Sequence, residues 1–283
     1  MGRSRSFAKL HFVVFIWSFT AILGNLITIR AVELVFFRTA IAAVAIFLWL
    51  SWRKPGALAD LPGKLNFFFI GFLIGIHWVL FFLAVHVSNV SICLAGIATL
   101  SLWTALLEPM MTHKRFHWFE AVLGLLVFAA LYAIFRFQFN HVTGLIIALA
   151  SAFFAAVFSI FNGQHVKDND PLSVSCYEMA GAACFCFLIL PIWRQFPIAS
   201  HSPLFPDLSD LFWLLLLSLG CTVYAYSAYV TLLKTLSVYT INLASNFEPV
   251  YGVLLAAFFF SEHRDLTPGF YLGTGLIVIA VFV

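Results

Sequence analysis

The sequence is divided into ten apolar segments, each long enough to cross a lipid bilayer as a helix. A crossing needs about 20 apolar residues, because the hydrocarbon core is about 30 Å thick and a helix rises about 1.5 Å per residue. Backbone polar groups inside the bilayer must be satisfied within the segment, which favours helices. The sequence therefore predicts an all-α integral membrane protein. The segments, numbered here as spans 1 to 10, are 10–29, 33–52, 65–85, 88–108, 117–135, 142–162, 173–193, 211–231, 237–259 and 267–283.

The composition excludes several classes of protein. Of the 283 residues, 63% are hydrophobic and only 10% are charged, whereas soluble domains are about 25% charged. The net charge of +3 and the scattered basic residues exclude a nucleic-acid-binding protein. All five cysteines lie in apolar segments without a CxxC pair, so we interpret them as small buried residues. The sequence contains no P-loop, GxSxG or HExxH motif, and we expect no catalytic residue, cofactor or metal site.

The basic residues predict how the chain is oriented. If the amino terminus is cytoplasmic, the inside loops hold ten lysines and arginines, including all six lysines, and the outside loops hold four arginines. This asymmetry follows the positive-inside rule. The first span is too long for a cleaved signal sequence, so we expect it to be retained. An even number of spans then places the carboxyl terminus in the cytoplasm as well.

The two halves of the sequence are similar when they are shifted by 149 positions. The most informative matches are Gly71 with Gly220, Ser88 with Ser237, Arg115 with Arg264 and Gly124 with Gly273. Each half, 1–135 and 142–283, holds five spans, and an odd number places the halves in opposite orientations. Inverted repeats of this kind are typical of secondary transporters, whose substrate site lies between the halves near the bilayer midplane.

The chain resembles the EamA-type transporters of the drug/metabolite transporter superfamily. The resemblance rests on FIWSFTAILGNL in span 1, on VFFRTAIAAVA in span 2, and on the polar caps HKRFHWFEAVLGLLVF and SEHRDLTPGFYLGTGLIVIA that end the repeats. It implies a ten-helix carrier with both termini cytoplasmic, and many family members export amino acids or other metabolites. Where many members have a glutamate beside the Arg115 position, this chain has Lys114.

Glu248 is the leading candidate for a substrate or ion site. A charge in hydrocarbon costs at least about 2.5 kcal/mol, so its presence near the middle of span 9 needs a reason. Pro249 follows it and predicts a break in the helix that frees carbonyl groups nearby. Asn242 and Asn246, four residues apart, share a helix face. The pattern indicates a site for a cation, an amine or a proton, or else a glutamate that bonds to a neighbouring helix.

Arg38 in span 2 and Glu178 in span 7 are the next charged candidates. Arg38 could attract a substrate carboxylate, could form a gating ion pair, or could extend to the outer interface beside Glu33. Glu178 lies at a similar depth in the counterpart span, where it could serve the site or the structure. The sequence leaves open whether Arg38 and Glu178 meet.

The remaining candidates are polar or aromatic residues within the spans. His77 could relay protons or could make an ordinary buried contact. Weaker candidates for the cavity wall are Trp17, Thr20, Asn25, Trp78, Trp103, Asn162, Tyr224 and Tyr226.

The sequence thus predicts a secondary transporter in the cell membrane, most simply a bacterial inner membrane. We expect a small metabolite, such as an amino acid, to be exported by alternating access, driven by its own gradient or by protons. The expected partners are this solute, the lipid bilayer and protons, and the expected state is a monomer or a weak oligomer. The alternatives are an importer, an enzyme acting on membrane lipid, and a scaffold that transports nothing.

Overall fold

The computed structural model describes residues 3–59, 61–135, 142–200, 203–259 and 268–282, and these residues contain helices and no strand. Arg136 and Arg264, on which part of the orientation argument rests, lie outside the described residues. The helices are α1 Arg3–Leu26, α2 Ala31–Arg53, α3 Lys64–Val87, α4 Val90–Ile97, α5 Leu100–Thr112, α6 Trp118–Phe135, α7 Val142–His165, α8 Pro171–Trp193, α9 Pro197–Ser200, α10 Leu208–Leu216, α11 Ala225–Leu232, α12 Val238–Ala244, α13 Phe247–Phe259 and α14 Pro268–Phe282.

Most of the predicted spans are long apolar helices. Within the described residues, seven helical segments are long and apolar enough to cross a membrane, and a shorter apolar helix covers Trp118–Ala130. Spans 9 and 10 correspond to α12 with α13 and to α14. Helix α1 begins at Arg3, seven residues before the predicted start, because the polar residues there continue the helix beyond the apolar stretch.

Helix α3 packs closely on α8 through glycines. A side-chain carbon on Gly71 would collide with the backbone carbonyl of Glu178, and one on Gly181 would collide with that of Phe68. Small residues allow helices to approach each other in a membrane, where packing rather than the hydrophobic effect drives association. This contact fixes α8 against the first half of α3.

Two spans that the sequence predicts as continuous helices are each broken near the middle. Span 4 is interrupted at Ala98–Thr99, between α4 and α5, and span 9 is interrupted at Ser245–Asn246, between α12 and α13. The two broken spans lie side by side, with α4 against α13 and α5 against α12. Their breaks therefore meet in the interior of the protein.

The break in span 9 lies one turn earlier than we predicted from Pro249. Proline has no backbone N–H, so the carbonyl of Ser245, four residues earlier, loses its normal helical donor. The N–H of Glu248 bonds to that carbonyl instead, at 2.8 Å. Pro249 is thus the third residue of α13, within the first turn, where proline is tolerated.

A π-helical segment, Leu217–Tyr224, joins α10 to α11 within span 8. It packs against α1 and α2. Wide π turns are rare and occur mostly at functional sites, and no feature of the local sequence predicts this one. The segment carries Cys221 and Thr222, both of which bind side chains from the other half of the protein.

Candidate functional site

A central cavity lies where helices from both halves converge, beside the breaks in spans 4 and 9. Its volume is about 70 Å³, which is room for a few waters at roughly 10–15 Å³ each. Binding a larger solute therefore requires a wall to move. The lining residues are Trp17, Thr20, Arg38, His77, Trp78, Phe81, Ile97, Leu100, Ala155, Phe158, Ser159, Tyr226, Tyr229, Asn242, Ser245 and Glu248.

Arg38 is the cation of this cavity. Its side chain is only 1% exposed, and its guanidinium carbon lies 4.0 Å from the centre of the Trp78 ring. Arg38 Nε donates a hydrogen bond of 2.7 Å to Thr222 Oγ1 in the π-helical segment. Within the described residues, Arg38 Nη1 is buried without a hydrogen-bond partner. The guanidinium is therefore held at one edge, while another nitrogen is free to bind an anion.

The position of Arg38 settles two of the alternatives that the sequence left open. Arg38 does not extend to the interface beside Glu33. Glu33 instead accepts hydrogen bonds from Trp193 Nε1 at 2.9 Å and from Arg194 Nη1 at 3.0 Å. Arg38 also forms no ion pair with Glu178, although both residues lie in the described part of the chain.

Glu248 is the acidic residue of the cavity. It lies in the first turn of α13, where the helix dipole favours a negative charge. Its side chain is 7% exposed, and it interacts electrostatically with Arg38 without forming an ion pair. Among the residues that the structure describes, none donates a hydrogen bond to its carboxylate. The carboxyl group therefore lines the cavity with its hydrogen-bonding capacity unused by the described residues, which leaves it free to bind a ligand.

Aromatic rings form part of the cavity wall. Trp17 contacts Tyr229 with ring centres 5.5 Å apart, Tyr229 contacts Tyr226 at 5.5 Å, and Tyr226 contacts Trp78 at 5.9 Å. Polar ends of these rings are fixed by hydrogen bonds, including Trp17 Nε1 to the carbonyl of Cys221 at 3.2 Å. The wall is therefore apolar towards the cavity and anchored behind it.

His77 is held by Ser151 on α7. Its Nδ1 lies 2.8 Å from Ser151 Oγ and 3.0 Å from the Ser151 carbonyl oxygen, and its ring contacts Phe158 with centres 5.6 Å apart. The ring thus lines the cavity from a fixed position, and its other nitrogen is not tied to Ser151.

Six of the predicted candidates do not line the cavity: Glu178, Asn246, Trp103, Asn25, Asn162 and Tyr224. Asn25 lies exposed near the end of α1. Glu178 lies behind the wall, where it accepts a hydrogen bond of 2.9 Å from Tyr226 Oη. Asn246 bonds to Ser101 Oγ at 3.0 Å. Trp103 packs on Phe153 and lines a separate apolar groove on α5.

The amide side chains of span 9 bind the facing broken span. Asn242 lines the cavity and donates to Thr104 Oγ1 at 2.8 Å, while Asn246 reaches Ser101 on the same helix. Asn162 donates to Tyr226 Oη at 3.1 Å and so supports the wall. Tyr224 is half exposed on the outer surface of the bundle.

Several cavity residues escaped the sequence analysis. Phe81 and Phe158 are two of 34 phenylalanines, and Tyr229 and Ser159 carry no charge to mark them, so composition does not single these residues out. Spacing could have found some of them: Tyr229 follows Tyr226 by three residues, and Phe81 follows His77 by four, which places each pair on one helix face.

Neither a metal cluster nor a disulfide is found in the described part of the chain. No group of three or more histidine, cysteine or acidic residues there could hold a metal ion. All five cysteines are free, and four of them are buried.

Comparison with known proteins agrees with these features. The sequence model of the EamA-like transporter family matches residues 10–136 and 142–283. One solved crystal structure aligns with 99% of this chain, and the alignment covers 96% of the solved chain. The TM-score is 0.75 and the sequence identity is 17%, which shows similarity of fold alone. No curated protein matches the sequence significantly. The two family matches together cover most of the sequence, and the chain therefore belongs to the EamA-like transporter family.

Proposed function

We propose that this membrane transporter exports a small metabolite, an amino acid or a related zwitterion, by alternating access. The two halves, 1–135 and 142–283, form inverted repeats of five spans each, and both termini face the cytoplasm of a cell whose plasma membrane holds the protein. The solute's own gradient or a proton gradient drives transport. The protein works as a monomer or a weak oligomer within the lipid bilayer.

The observation that carries the proposal is that a basic and an acidic side chain line the same aromatic cavity. The buried Arg38 offers an unbonded guanidinium nitrogen, and Glu248 offers a carboxylate without a hydrogen-bond donor among the described residues. A zwitterion would satisfy both, with its carboxylate on Arg38 and its ammonium on Glu248. The rings of Trp17, Tyr226 and Tyr229 would contact its apolar part.

The packing of the helices supports two inverted halves. The family model matches each half separately. Broken helices occur at corresponding positions in spans 4 and 9, and these spans pack on each other. In transporters built from inverted repeats, discontinuous helices near the midplane form the substrate site, and the breaks beside this cavity support the same assignment here.

A panel of solutes in proteoliposomes tests the substrate class. The panel compares labelled amino acids with amines that lack the carboxylate and with acids that lack the amine, each measured by counterflow. We expect amino acids to exchange, while removal of either charge weakens uptake by tenfold or more, as for loss of a charged hydrogen bond of about 1.5–3 kcal/mol. Equal transport of all three classes, or of none, would refute the zwitterion proposal.

A further inference from the structure

A second pocket lies on the side of the bundle that we predict to be cytoplasmic. It has a volume of about 500 Å³, and we call it the vestibule. Three lysines, Lys114, Lys167 and Lys234, reach it from three different connections between spans. Glu108 is its acidic lining residue, so the lining carries a net positive charge.

Two of these lysines, Lys167 and Lys234, form no side-chain contact with an acidic partner among the described residues. Lys114 is held by Glu108, with Nζ 2.6 Å from Oε1. No side-chain hydrogen bond or ion pair to Lys167 or Lys234 is found within the described part of the chain. Elsewhere on the same side, Lys54 pairs with Asp170 at 2.6 Å. Within the described part of the chain, Lys167 and Lys234 thus bring two positive charges to the vestibule without an acidic partner.

The vestibule and the central cavity are stacked along the same helices. On α7, Ser159 lines the cavity, and Gly163, four residues later, lines the vestibule. On α12, Asn242 lines the cavity, and Val238, four residues earlier, lines the vestibule. Four residues of helix rise about 6 Å, so about one turn separates the two spaces.

Hydrogen bonds join the cavity wall across these helices. Tyr229 Oη donates to Ser159 Oγ at 3.0 Å, and Asn242 Nδ2 donates to Thr104 Oγ1 at 2.8 Å. Movement of these helices that joined the two spaces would place the lysines of the vestibule and Arg38 of the cavity on one path. A carboxylate would then meet positive charge at both stages of its path.

We propose that the vestibule is an anion-binding antechamber, in which Lys167 and Lys234 bind the carboxylate of a cytoplasmic substrate before it enters the cavity. The assignment of a carboxylate substrate rests on the proposed function above. A pocket lined by one sign of charge raises the local concentration of the opposite ion, and salt weakens this effect. The lysines therefore act on capture of the substrate rather than on its passage through the cavity.

Binding is tested first without transport. Lysines of the whole protein in uncharged detergent are labelled by ¹³C-methylation, and their NMR signals are followed as sodium acetate is added at constant ionic strength. We expect saturable shifts for Lys167 and Lys234 but not for Lys9 and Lys64, which lie on the same predicted side outside the vestibule. Absent shifts, or equal shifts at all four lysines, would overturn the proposal whether or not the protein transports amino acids.

Transport then tests the role of this binding. We expect the Lys167→Gln/Lys234→Gln variant to raise the half-saturating cytoplasmic substrate concentration about three- to tenfold at low ionic strength, with recovery near 0.5 M salt. Lys167→Arg/Lys234→Arg should behave as wild type, and so should the charge-matched control Lys9→Gln/Lys64→Gln. An effect that persists in high salt, or one of equal size in the control, would contradict capture by charge.

Lipid headgroups are the other source of anions at this surface. The same assays are repeated with neutral phosphatidylcholine and with added phosphatidylglycerol. If the lysine signals respond to phosphatidylglycerol and not to acetate, or if the variant differs from wild type only in anionic vesicles, the vestibule binds lipid and the proposal is wrong. A response to acetate in neutral surroundings supports it.

Discussion

Replacing Arg38 with lysine keeps the positive charge of the cavity and removes the shape of the guanidinium. In the structure, the guanidinium uses Nε to bind Thr222 Oγ1 at 2.7 Å and lies 4.0 Å from the centre of the Trp78 ring. An ammonium group is a compact point charge and can keep at most one of these two contacts. The Arg38→Lys variant should therefore bind a substrate carboxylate in a poorly fixed position.

The size of the effect follows from the lost contact. A hydrogen bond to a charged group contributes about 1.5–3 kcal/mol, and a desolvated cation–π contact contributes about 2 kcal/mol. Loss of about 2 kcal/mol of positioning, at about 1.4 kcal/mol per factor of ten, weakens substrate binding about 30-fold. Arg38→Gln, which also removes the charge, should weaken binding further.

The assay is the half-saturating concentration for counterflow of an amino acid, measured beside the amine that lacks its carboxylate. Arg53→Lys is the matched control, because Arg53 also stacks on a tryptophan, 4.3 Å from the centre of the Trp52 ring, but is exposed and lies outside the cavity. We expect a change for Arg38→Lys with the amino acid alone. A folded Arg38→Lys variant with wild-type half-saturation, or an equal loss for the amine, would refute this reasoning.

Two further predictions concern stability, measured as unfolding in detergent. Gly71→Val should destabilise the protein by about 3 kcal/mol or more, because the new side chain would meet the backbone of α8. Gly220→Ala should be nearly neutral, because the space around Gly220 is open. Equal effects of the two substitutions would exclude the packing argument. Partial burial raises the pKa of Asp170, but hydrogen bonds from Lys54 and Ser173 outweigh this and hold it below its usual range. The stability that the Lys54–Asp170 pair contributes is therefore complete above pH about 4 and is lost as the pH falls through the lower pKa of the folded state. Lys54→Met should lower the free energy of unfolding by less than about 1 kcal/mol at pH 7 and by almost nothing at pH 2. A constant difference from wild type across this range would contradict the pairing.

The helical framework could be predicted from the sequence because segment length and apolarity determine it directly. The breaks could not be located as readily. In span 4, Thr99 Oγ1 donates a hydrogen bond of 2.7 Å to the carbonyl of Gly96. This local bond competes with the backbone hydrogen bonds of the helix, and it breaks the helix only where the packing against α13 permits the break. The π-helical segment likewise depends on contacts with α1 and α2 that are distant in sequence.

Charge located the centre of the candidate site, since Arg38 and Glu248 are buried residues whose cost in hydrocarbon makes them conspicuous. Charge alone did not show which other residues accompany them. Glu178 is as buried as Arg38 but lies behind Tyr226, a distinction that depends on the rotation of α8 about its axis. Tyr229 carries no such signal, although it lines the cavity and bonds to Ser159 on α7.

Counterflow of a labelled amino acid by Glu248→Gln is the most direct test of the central claim that the transported solute occupies the cavity between Arg38 and Glu248. The amide preserves shape and removes the charge, and Glu120→Gln, in the first turn of α6 outside the cavity, is the matched control. With unfolding temperatures close to wild type, we predict that Glu248→Gln loses transport at two pH values while Glu120→Gln retains it. Wild-type flux and pH dependence in Glu248→Gln would contradict the account.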